Sequence, residues 1–210
     1  MNIPCTVNET YRCIVGESLA SGLTALLVRF TGCNLSCAYC DTRYACDQPG
    51  QGTTVGELAE RLEQSGLVRL LLTGGEPLRQ PEAATALCNQ ALQLGCTVLL
   101  ESNGTLPTDT VPRDVVKILD VKTPGAASSV PFLDDNLDLL NEQDQLKFVV
   151  TSFDDCHWAL DFLRQRKPPL DPANIIFSPA SPAFEPPALA QWLLEERLPY
   201  RFQIQLHKAL

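Results

Sequence analysis

Residues 33–42 read CNLSCAYCDT and place three cysteines, Cys33, Cys37 and Cys40, in a C-x3-C-x2-C spacing. Three thiolates on one short loop can ligate three irons of a cubane iron–sulfur cluster, which leaves the fourth iron without a protein ligand. An open metal position can bind and activate another molecule, whereas a fully ligated metal usually serves structure or electron transfer. The loop therefore predicts a reactive metal cluster.

Two simpler explanations of this loop remain open. A structural zinc site uses four ligands, often as two separated C-x2-C pairs. No second pair of this kind follows the loop, and the two histidines, His157 and His207, are distant from it in the sequence. Disulfides are a poorer explanation, because the nine cysteines are an odd number and no apolar signal segment precedes the loop. We therefore expect reduced cysteines and a cytoplasmic protein.

Size and charge narrow the classes of function. The chain has 210 residues, 45% of them hydrophobic, and a formal net charge of −9. Residues 1–210 are predicted to form a single domain with a sizeable core. An acidic chain without a Lys/Arg cluster repels a phosphate backbone, so a small-molecule substrate is favoured over a nucleic acid. The apolar runs are too short to span a membrane.

Strand-like apolar runs alternate with helix-like stretches along the chain. Strands are predicted at residues 24–30, 67–73, 97–101, 115–121, 145–150, 174–177 and 201–205. Helices are predicted at residues 55–64, 82–94, 133–140, 154–166 and 187–196, with Thr53 or Thr54 capping the first and Ser152 the fourth. This alternation implies parallel strands joined by right-handed crossovers. We expect an α/β fold whose parallel sheet curls into a partial barrel.

Polar motifs follow three successive predicted strands. Residues 73–77 read TGGEP, residues 101–105 read ESNGT and residues 120–124 read DVKTP. Two glycines after a strand let a ligand approach the backbone, and Glu76 can accept hydrogen bonds from an ammonium group. Each segment alone could be a simple turn. Because ligands of parallel α/β folds bind at the carboxyl ends of strands, we expect the three segments and the cysteine loop to line one site.

The cysteine spacing together with Gly74-Gly75-Glu76 resembles the radical SAM superfamily, whose enzymes bind S-adenosylmethionine (SAM) at the open iron. A closer resemblance runs from residue 7 to residue 208. Segments 28–35 (VRFTGCNL), 40–42 (CDT), 72–77 (LTGGEP), 101–105 (ESNGT), 147–150 (KFVV) and 205–208 (QLHK) are similar to segments of the 7-carboxy-7-deazaguanine synthase family. This resemblance implies a partial (incomplete) β/α barrel of the radical SAM type.

The activity implied by the resemblance is that of a radical SAM lyase. It would convert 6-carboxy-5,6,7,8-tetrahydropterin to 7-carboxy-7-deazaguanine in queuosine and deazapurine biosynthesis. Hydrogen abstraction at C6 of the pterin would start a ring contraction, ammonia would leave, and SAM would be regenerated. A flavodoxin or ferredoxin electron donor and a homodimer are implied as well.

The resemblance also assigns residues to cofactors and substrate. Cys33, Cys37 and Cys40 would ligate a [4Fe–4S] cluster, and the hydroxyl of Thr42 would bind Mg²⁺, which prefers oxygen ligands. The residues implied to bind SAM are Tyr39, Gly74, Gly75, Glu76, Asn103, Asp120, Val121 and Lys122. The residues implied to bind the pterin are Ile14, Val15, Gly16, Glu17, Arg29, Thr73, His207 and Leu210.

Two of these positions depart from the family pattern. Val15 stands where the family has a glutamine, and a valine side chain cannot form a hydrogen bond, so one polar contact with the pterin is lost or supplied by the backbone. Family members often run somewhat longer and their terminal carboxylate reaches the substrate, whereas the sequence here ends at Leu210, three residues past His207. Both departures bear on the substrate more than on radical SAM chemistry.

Two other functions compete with the lyase. An activating enzyme that generates a glycyl radical on a partner protein would share the cluster loop, but it would not explain Thr42 or His207. A non-enzymatic zinc-stabilised or iron–sulfur module would explain the cysteines alone. The zinc-stabilised form of this module predicts zinc without iron and sulfide after purification in the absence of air.

Overall fold

The computed structural model describes residues 2–128 and 130–208, and these residues form a nine-stranded sheet flanked by helices. The strands are β1 (Pro4–Ile14), β2 (Thr24–Phe30), β3 (Gln51–Thr54), β4 (Arg69–Gly74), β5 (Thr97–Ser102), β6 (Val116–Asp120), β7 (Gln145–Val150), β8 (Ile175–Pro179) and β9 (Arg201–Phe202). The helices are α1 (Arg43–Asp47), α2 (Val55–Ser65), α3 (Pro81–Gln93), α4 (Asp135–Asp138), α5 (Phe153–Arg166) and α6 (Pro186–Glu195).

The strand order is β3-β1-β2-β4-β5-β6-β7-β8-β9, so β3 and β9 form the two edges. From β2 through β9 the neighbouring strands pair in parallel. This arrangement confirms the expected α/β fold with an open, partial barrel. None of the helices in the described part of the chain combines the length and apolarity that a membrane crossing requires.

The sequence did not predict β1 and β3, which pair antiparallel with each other, while β1 also pairs antiparallel with β2. The expectation of a wholly parallel sheet was therefore incomplete. Strand β1 mixes polar and apolar residues and lies half-exposed, so it lacks the apolar run typical of a buried parallel strand. Helix α1 was also missed, because five residues are too few to show a helical period.

Helix ends follow the predicted capping chemistry. Thr54 accepts a hydrogen bond from the Glu57 amide and completes a capping box at the start of α2, and Ser152 accepts one from the Asp155 amide at the start of α5. Helix α4 is shorter than the predicted 133–140 stretch. There the side chain of Asn136 binds the backbone carbonyls of Gly104 and Leu106, so tertiary contacts rather than a helical face determine the local structure.

Side chains along each strand point alternately to the two faces of the sheet, and this alternation separates the apolar core from the site. The outward side chains of β2, β4 and β5, such as Val28, Leu72 and Leu100, pack against α2 and α3 in one apolar cluster. The inward side chains at the amino-terminal halves of the strands form a smaller apolar cluster that includes Leu27, Leu71, Leu99 and Ile118. Two residues further along each strand, the inward position is polar: Arg29, Thr73, Glu101 and Asp120. The small cluster therefore forms a dry floor beneath a polar cavity.

Candidate active site

A cavity of about 600 Å³ lies at the carboxyl ends of the parallel strands. Most of the residues predicted for the site line it: Ile14, Gly16, Glu17, Arg29, Cys33, Cys37, Tyr39, Cys40, Thr42, Thr73, Gly74, Gly75, Asn103, Asp120, Lys122 and His207. Val15, Glu76 and Val121 do not line it, and Leu210 falls outside the described residues. The fold thus brings segments from the whole length of the chain to one place.

The cysteine loop is held from both sides by arginines. Arg79 donates a hydrogen bond of 2.8 Å to the carbonyl of Cys33, and Arg43 donates one of 2.8 Å to the hydroxyl of Ser36. Within the loop, the amide of Cys40 donates to the carbonyl of Cys37 at 3.2 Å. These bonds fix the backbone around the thiols, so the loop does not depend on a bound metal for all of its shape.

The three thiols match the ligand set of a cubane cluster, in which each thiolate binds a different iron. Within residues 2–128 and 130–208, no three His, Cys, Asp or Glu side chains converge tightly enough to share one ion. Burial raises the pKa of Cys33 and Cys37, so a positive metal centre would be needed to hold them as thiolates.

A fourth cysteine, Cys46 on α1, also lines the cavity. Its thiol lies within hydrogen-bonding reach of Cys33 and Cys40, and burial followed by the charges of these two neighbours raises the pKa of Cys46 to about 12. Cys46 lies outside the C-x3-C-x2-C spacing, so it offers a matched control for variants of the three predicted ligands.

Gly75 packs against the cysteine loop. A Cβ atom at this position would lie 2.5 Å from the carbonyl oxygen of Gly32 and 2.7 Å from the Cβ of Cys33. The amide of the next residue, Glu76, donates a hydrogen bond of 2.8 Å to the same Gly32 carbonyl. The glycine therefore serves the close approach of two loops, in addition to any approach of a ligand to the backbone.

Glu76 lies behind the cavity wall rather than on it. Its side chain is 0% exposed, and its carboxylate accepts hydrogen bonds from the amides of Leu78 at 2.9 Å and Asn103 at 2.7 Å, and from the hydroxyl of Ser102 at 3.1 Å. These bonds tie the loop after β4 to the loop after β5. Glu76 thus positions Asn103, which does line the cavity, and the predicted direct contact with SAM stays a prediction.

Asp120, Lys122 and Tyr39 form the wall on the β6 side. Lys122 Nζ lies 3.0 Å from Asp120 Oδ2 and 5.7 Å from the centre of the Tyr39 ring. Tyr39 donates a hydrogen bond of 3.3 Å to the carbonyl of Val149, and burial raises its pKa, so the ring stays neutral. Among the described residues, Asp120 Oδ1 is a buried oxygen without a hydrogen-bond partner, so a polar ligand beside it would find an acceptor.

Lys147 joins two parts of the wall. Its ammonium group forms an ion pair with Glu17 and lies 3.2 Å from Asp120 Oδ2. Burial by itself would raise the pKa of Glu17, but the charge and hydrogen bond of Lys147 hold it below its ordinary value. Burial would likewise lower the pKa of Lys147, whereas Glu17 and Asp120 raise it well above its usual value. All three groups are therefore ionised at neutral pH.

Arg29, Thr73 and Glu101 occupy neighbouring inward positions on β2, β4 and β5. Arg29 donates a hydrogen bond of 2.6 Å to Glu9 on β1. Glu101 accepts a hydrogen bond from Thr73, but burial outweighs this bond and the nearby cations and raises the pKa of Glu101. The cavity wall therefore carries Glu17 and Asp120 held in their charged forms and Glu101 shifted towards its neutral form.

His207 reaches the cavity from the last turn of 3-10 helix, Leu206–Lys208. Its Nε2 lies 3.5 Å from Asp41 Oδ2, and its ring packs where a Cβ on Gly16 would stand. The hydrogen bond lowers the pKa of Asp41 and raises that of His207. Next to Asp41, the Thr42 hydroxyl does not cap helix α1 and lies 3.9 Å from Cys40 Sγ, beside the cysteine loop.

The side chains of Val15 and Val121 turn away from the cavity. Val15 is 0% exposed and packs in the apolar floor with Leu27 and Leu71. Val121 is also 0% exposed and belongs to a third apolar cluster, which includes buried residues of α5 such as Leu160. A side-chain contact with a ligand is not available to either residue, because each points into a hydrophobic core.

Several residues at the cavity were not assigned a role from the sequence: Tyr44, Glu101, Lys147 and Gln205 line it, and Glu9 binds Arg29 at its side. A signal for two of them was present. Glu101 and Lys147 are polar residues at the same inward phase of apolar strands as Arg29 and Thr73, so period-2 alternation would have found them. Glu9 and Tyr44 carried no such signal, because their strand and helix were not predicted.

Comparison with known proteins identifies the family. Residues 27–157 match the family model of the radical SAM superfamily. The 7-carboxy-7-deazaguanine synthase of Koribacter versatilis is 36% identical over 96% of this chain and 95% of its own length. That of Chlorobaculum tepidum is 37% identical over 98% of this chain and 93% of its own. The chain belongs to the 7-carboxy-7-deazaguanine synthase family. It is a radical SAM enzyme, and membership of this superfamily implies a [4Fe–4S] cluster and SAM.

Solved structures agree with the family fold. The crystal structure of QueE from Escherichia coli has a TM-score of 0.78 and covers 97% of this chain and 95% of its own, at 19% sequence identity. Streptococcus suis SuiB has a TM-score of 0.57 at 12% identity and covers 83% of this chain and 47% of its own. At these identities the likeness concerns the fold alone.

Proposed function

We propose that the chain converts 6-carboxy-5,6,7,8-tetrahydropterin to 7-carboxy-7-deazaguanine with loss of ammonia. The observation that carries this proposal is a family relationship over almost the full length of both chains, and it is supported by a cavity that unites the cysteine loop, Arg29 and the buried acid Glu17. Nothing in the cavity favours a glycyl-radical activating enzyme or a zinc module over this lyase.

Each part of the cavity then has a role. Cys33, Cys37 and Cys40 hold the cluster, which together with SAM supplies the one-electron chemistry that starts the reaction. Asn103 and Asp120 bind SAM, with Tyr39 beside its adenine. Gly74, Gly75 and Lys122 complete this part of the wall.

The opposite side of the cavity would bind the pterin. Arg29 presents a planar fork that suits the carboxylate of the substrate. Glu17, Thr73 and His207 offer hydrogen bonds to the pterin ring, and Ile14 and Gly16 close the edge of the site. The apolar floor that contains Leu27 excludes water from beneath the reacting carbon, which limits side reactions.

A magnesium ion, an electron donor and a second subunit complete the proposal. Thr42 would bind Mg²⁺ through its hydroxyl, which its own helix does not use. A flavodoxin or ferredoxin would reduce the cluster, and the chain would act as a homodimer of single-domain subunits. The described cysteines are all free, which suits the reducing cytoplasm.

The decisive experiment is anaerobic turnover. The reconstituted, reduced protein is incubated with 6-carboxytetrahydropterin, SAM and Mg²⁺, and 7-carboxy-7-deazaguanine is measured by mass spectrometry. We expect product in excess of any SAM consumed, because SAM is regenerated. An intact cluster without product would reject the lyase, and SAM consumption that depends on a partner protein would support the activating enzyme instead.

Two cysteine variants test the cluster separately from turnover. Cys37→Ala removes a predicted ligand, whereas Cys46→Ala removes a neighbouring cavity thiol outside the C-x3-C-x2-C spacing. We expect Cys37→Ala to lose most iron and sulfide and Cys46→Ala to retain both, as measured by metal analysis and visible absorbance. Equal loss in the two variants would show that the ligand set is wrong. Zinc in place of iron would support the structural module.

The ion and the donor need their own measurements. Thr42→Val keeps the shape of the side chain but removes its hydroxyl, so turnover should need more Mg²⁺ while the iron content stays the same. A flavodoxin should replace a chemical reductant in the turnover assay.

Sedimentation velocity of the reconstituted protein should give the mass of a dimer, and a monomer at working concentrations would exclude the homodimer.

A further inference from the structure

An irregularity in strand β1 places Glu9 opposite Arg29. Val7 pairs with Phe30, so regular antiparallel pairing would set Asn8 opposite Arg29, but Glu9 takes that position instead. The extra residue reverses which side chains of β1 face the cavity from this point onward. Bulges of this kind re-aim side chains beside active sites.

Glu9 binds the guanidinium of Arg29 on one edge. Arg29 Nε donates to Glu9 Oε1 at 2.6 Å, and the side chains are 12% and 30% exposed, respectively. A guanidinium has five donors arranged in a fixed fork, so a bond through Nε leaves the edge with two Nη groups for another partner. This outer edge presents two parallel N–H groups and can bind a carboxylate in bidentate geometry.

A second anchor connects Glu9 to the cysteine loop. Tyr44 on α1 donates a hydrogen bond of 2.8 Å to the same oxygen, Glu9 Oε1. Helix α1 is itself fixed to the end of β2, because the amide of Gly32 donates to the carbonyl of Ala45 at 2.8 Å. Glu9 is therefore held between the strand that carries Arg29 and the helix that follows Thr42.

We propose that Glu9 is a positioning residue that fixes Arg29 for the substrate carboxylate and so makes the cavity selective for carboxylated pterins. This inference rests on the proposed function, which assigns the carboxylate to Arg29. An arginine without an anchor would lose rotamer entropy on binding its ligand. This entropic cost would weaken the binding of the carboxylated pterin alone. A pterin that lacks the carboxylate does not use Arg29 and should not respond to Glu9.

The test compares two ligands on the reconstituted, SAM-loaded protein without air. Dissociation constants are measured by calorimetry for 6-carboxytetrahydropterin and for tetrahydropterin without the carboxylate. The wild type should prefer the carboxylated ligand, and Glu9→Ala should reduce the ratio of the two dissociation constants by about tenfold. A tenfold change corresponds to part of the free energy that a hydrogen bond to a charged group contributes. Turnover by Glu9→Ala should show a raised KM with kcat nearly unchanged.

Two further variants distinguish positioning from charge. Glu9→Gln keeps an oxygen acceptor for Arg29 Nε and should retain most of the preference, while Tyr44→Phe should lose a smaller part of it than Glu9→Ala. Tighter binding of the carboxylated pterin to Glu9→Gln would show that Glu9 only screens Arg29, and the inference would fail. Glu142→Ala, which removes an exposed carboxylate away from the cavity, serves as the control.

The outcomes also separate this inference from the function beneath it. If Glu9→Ala weakens both ligands equally, Glu9 supports the fold of the cavity and does not position Arg29. If the wild type binds neither pterin, the proposed function itself fails. If the wild type binds both pterins with equal affinity, Arg29 does not recognise the carboxylate. The inference then fails, whereas the proposal of a pterin substrate is retained.

Discussion

Removal of the Lys147 ammonium group should destabilise the protein strongly. Lys147 is 8% exposed and pairs with Glu17, which is 8% exposed, and with Asp120, which is 15% exposed. Asp120 retains a second cation in Lys122, 3.0 Å away, but among the described residues Glu17 would keep a hydrogen bond only from the neutral amide of Gln205. Lys147→Met therefore leaves chiefly one buried carboxylate without a counter-charge.

The size of this effect follows from the cost of an unpaired buried charge. Removal of one partner from a buried pair costs about 3–5 kcal/mol, and we expect a value near the lower limit, about 3 kcal/mol, since Asp120 remains paired. For a chain of this size the melting temperature should fall by roughly 6–12 °C. Urea denaturation of the wild type and Lys147→Met at pH 7 measures the difference directly, since urea does not screen charge.

A second substitution and a pH series test the cause. Lys147→Met combined with Glu17→Gln removes the stranded charge and should recover a large part of the lost stability. The pKa of Glu17 is lowered in the folded wild type, so its stabilising contribution is present above the unfolded pKa of about 4.3 and is lost as the pH falls further. The gap between wild type and Lys147→Met should therefore narrow on acidification. A loss below about 1 kcal/mol at pH 7 would contradict the value expected for a buried ion pair.

Three further substitutions have expected outcomes. Val15→Gln restores the residue of the family pattern, but it places an amide in the apolar floor. Thermal denaturation should therefore show a less stable protein, and the KM for the pterin should not fall. Gly75→Ala introduces a Cβ that clashes with Gly32 and Cys33, so the iron content after reconstitution should drop. Gly52→Ala is the control: Gly52 is exposed and a Cβ there meets nothing within 4 Å, so the iron content should not change. Glu101→Gln should be more stable than the wild type at pH 7 in urea denaturation. Because burial raises the pKa of Glu101, ionisation costs stability as the pH rises above about 4.3, and an advantage that persists at lower pH would show that charge is not the cause.

Part of the cavity could be predicted because its residues occur in short local segments. The cysteine loop and the Gly74-Gly75 turn are contiguous in the sequence, and each follows a strand whose apolar character is evident. A parallel sheet brings the carboxyl ends of its strands to one edge, so the meeting of these segments followed from the strand pattern alone. The arginine and threonine at the ends of β2 and β4 were reached through the family resemblance.

Other parts depended on contacts that no local pattern contains. Glu9 faces Arg29 only because β1 gains a residue beside Asn8, and strand β1 itself has no apolar run to reveal it. Val15 occupies a position that the resemblance places in the substrate site, yet its side chain turns to the floor. The path of the neighbouring backbone, not the type of residue, decides whether such a side chain points to the cavity or to the apolar floor.

The sequence by itself determined the chemistry that the chain can perform and the order of the elements that carry it, because thiol spacing and hydrophobic period are properties of neighbouring residues. Tertiary structure alone decided which charges share a partner. Lys147 meets Glu17 across 130 residues of chain, and the protonation of both depends on burial and distance, which exist only after the strands have assembled.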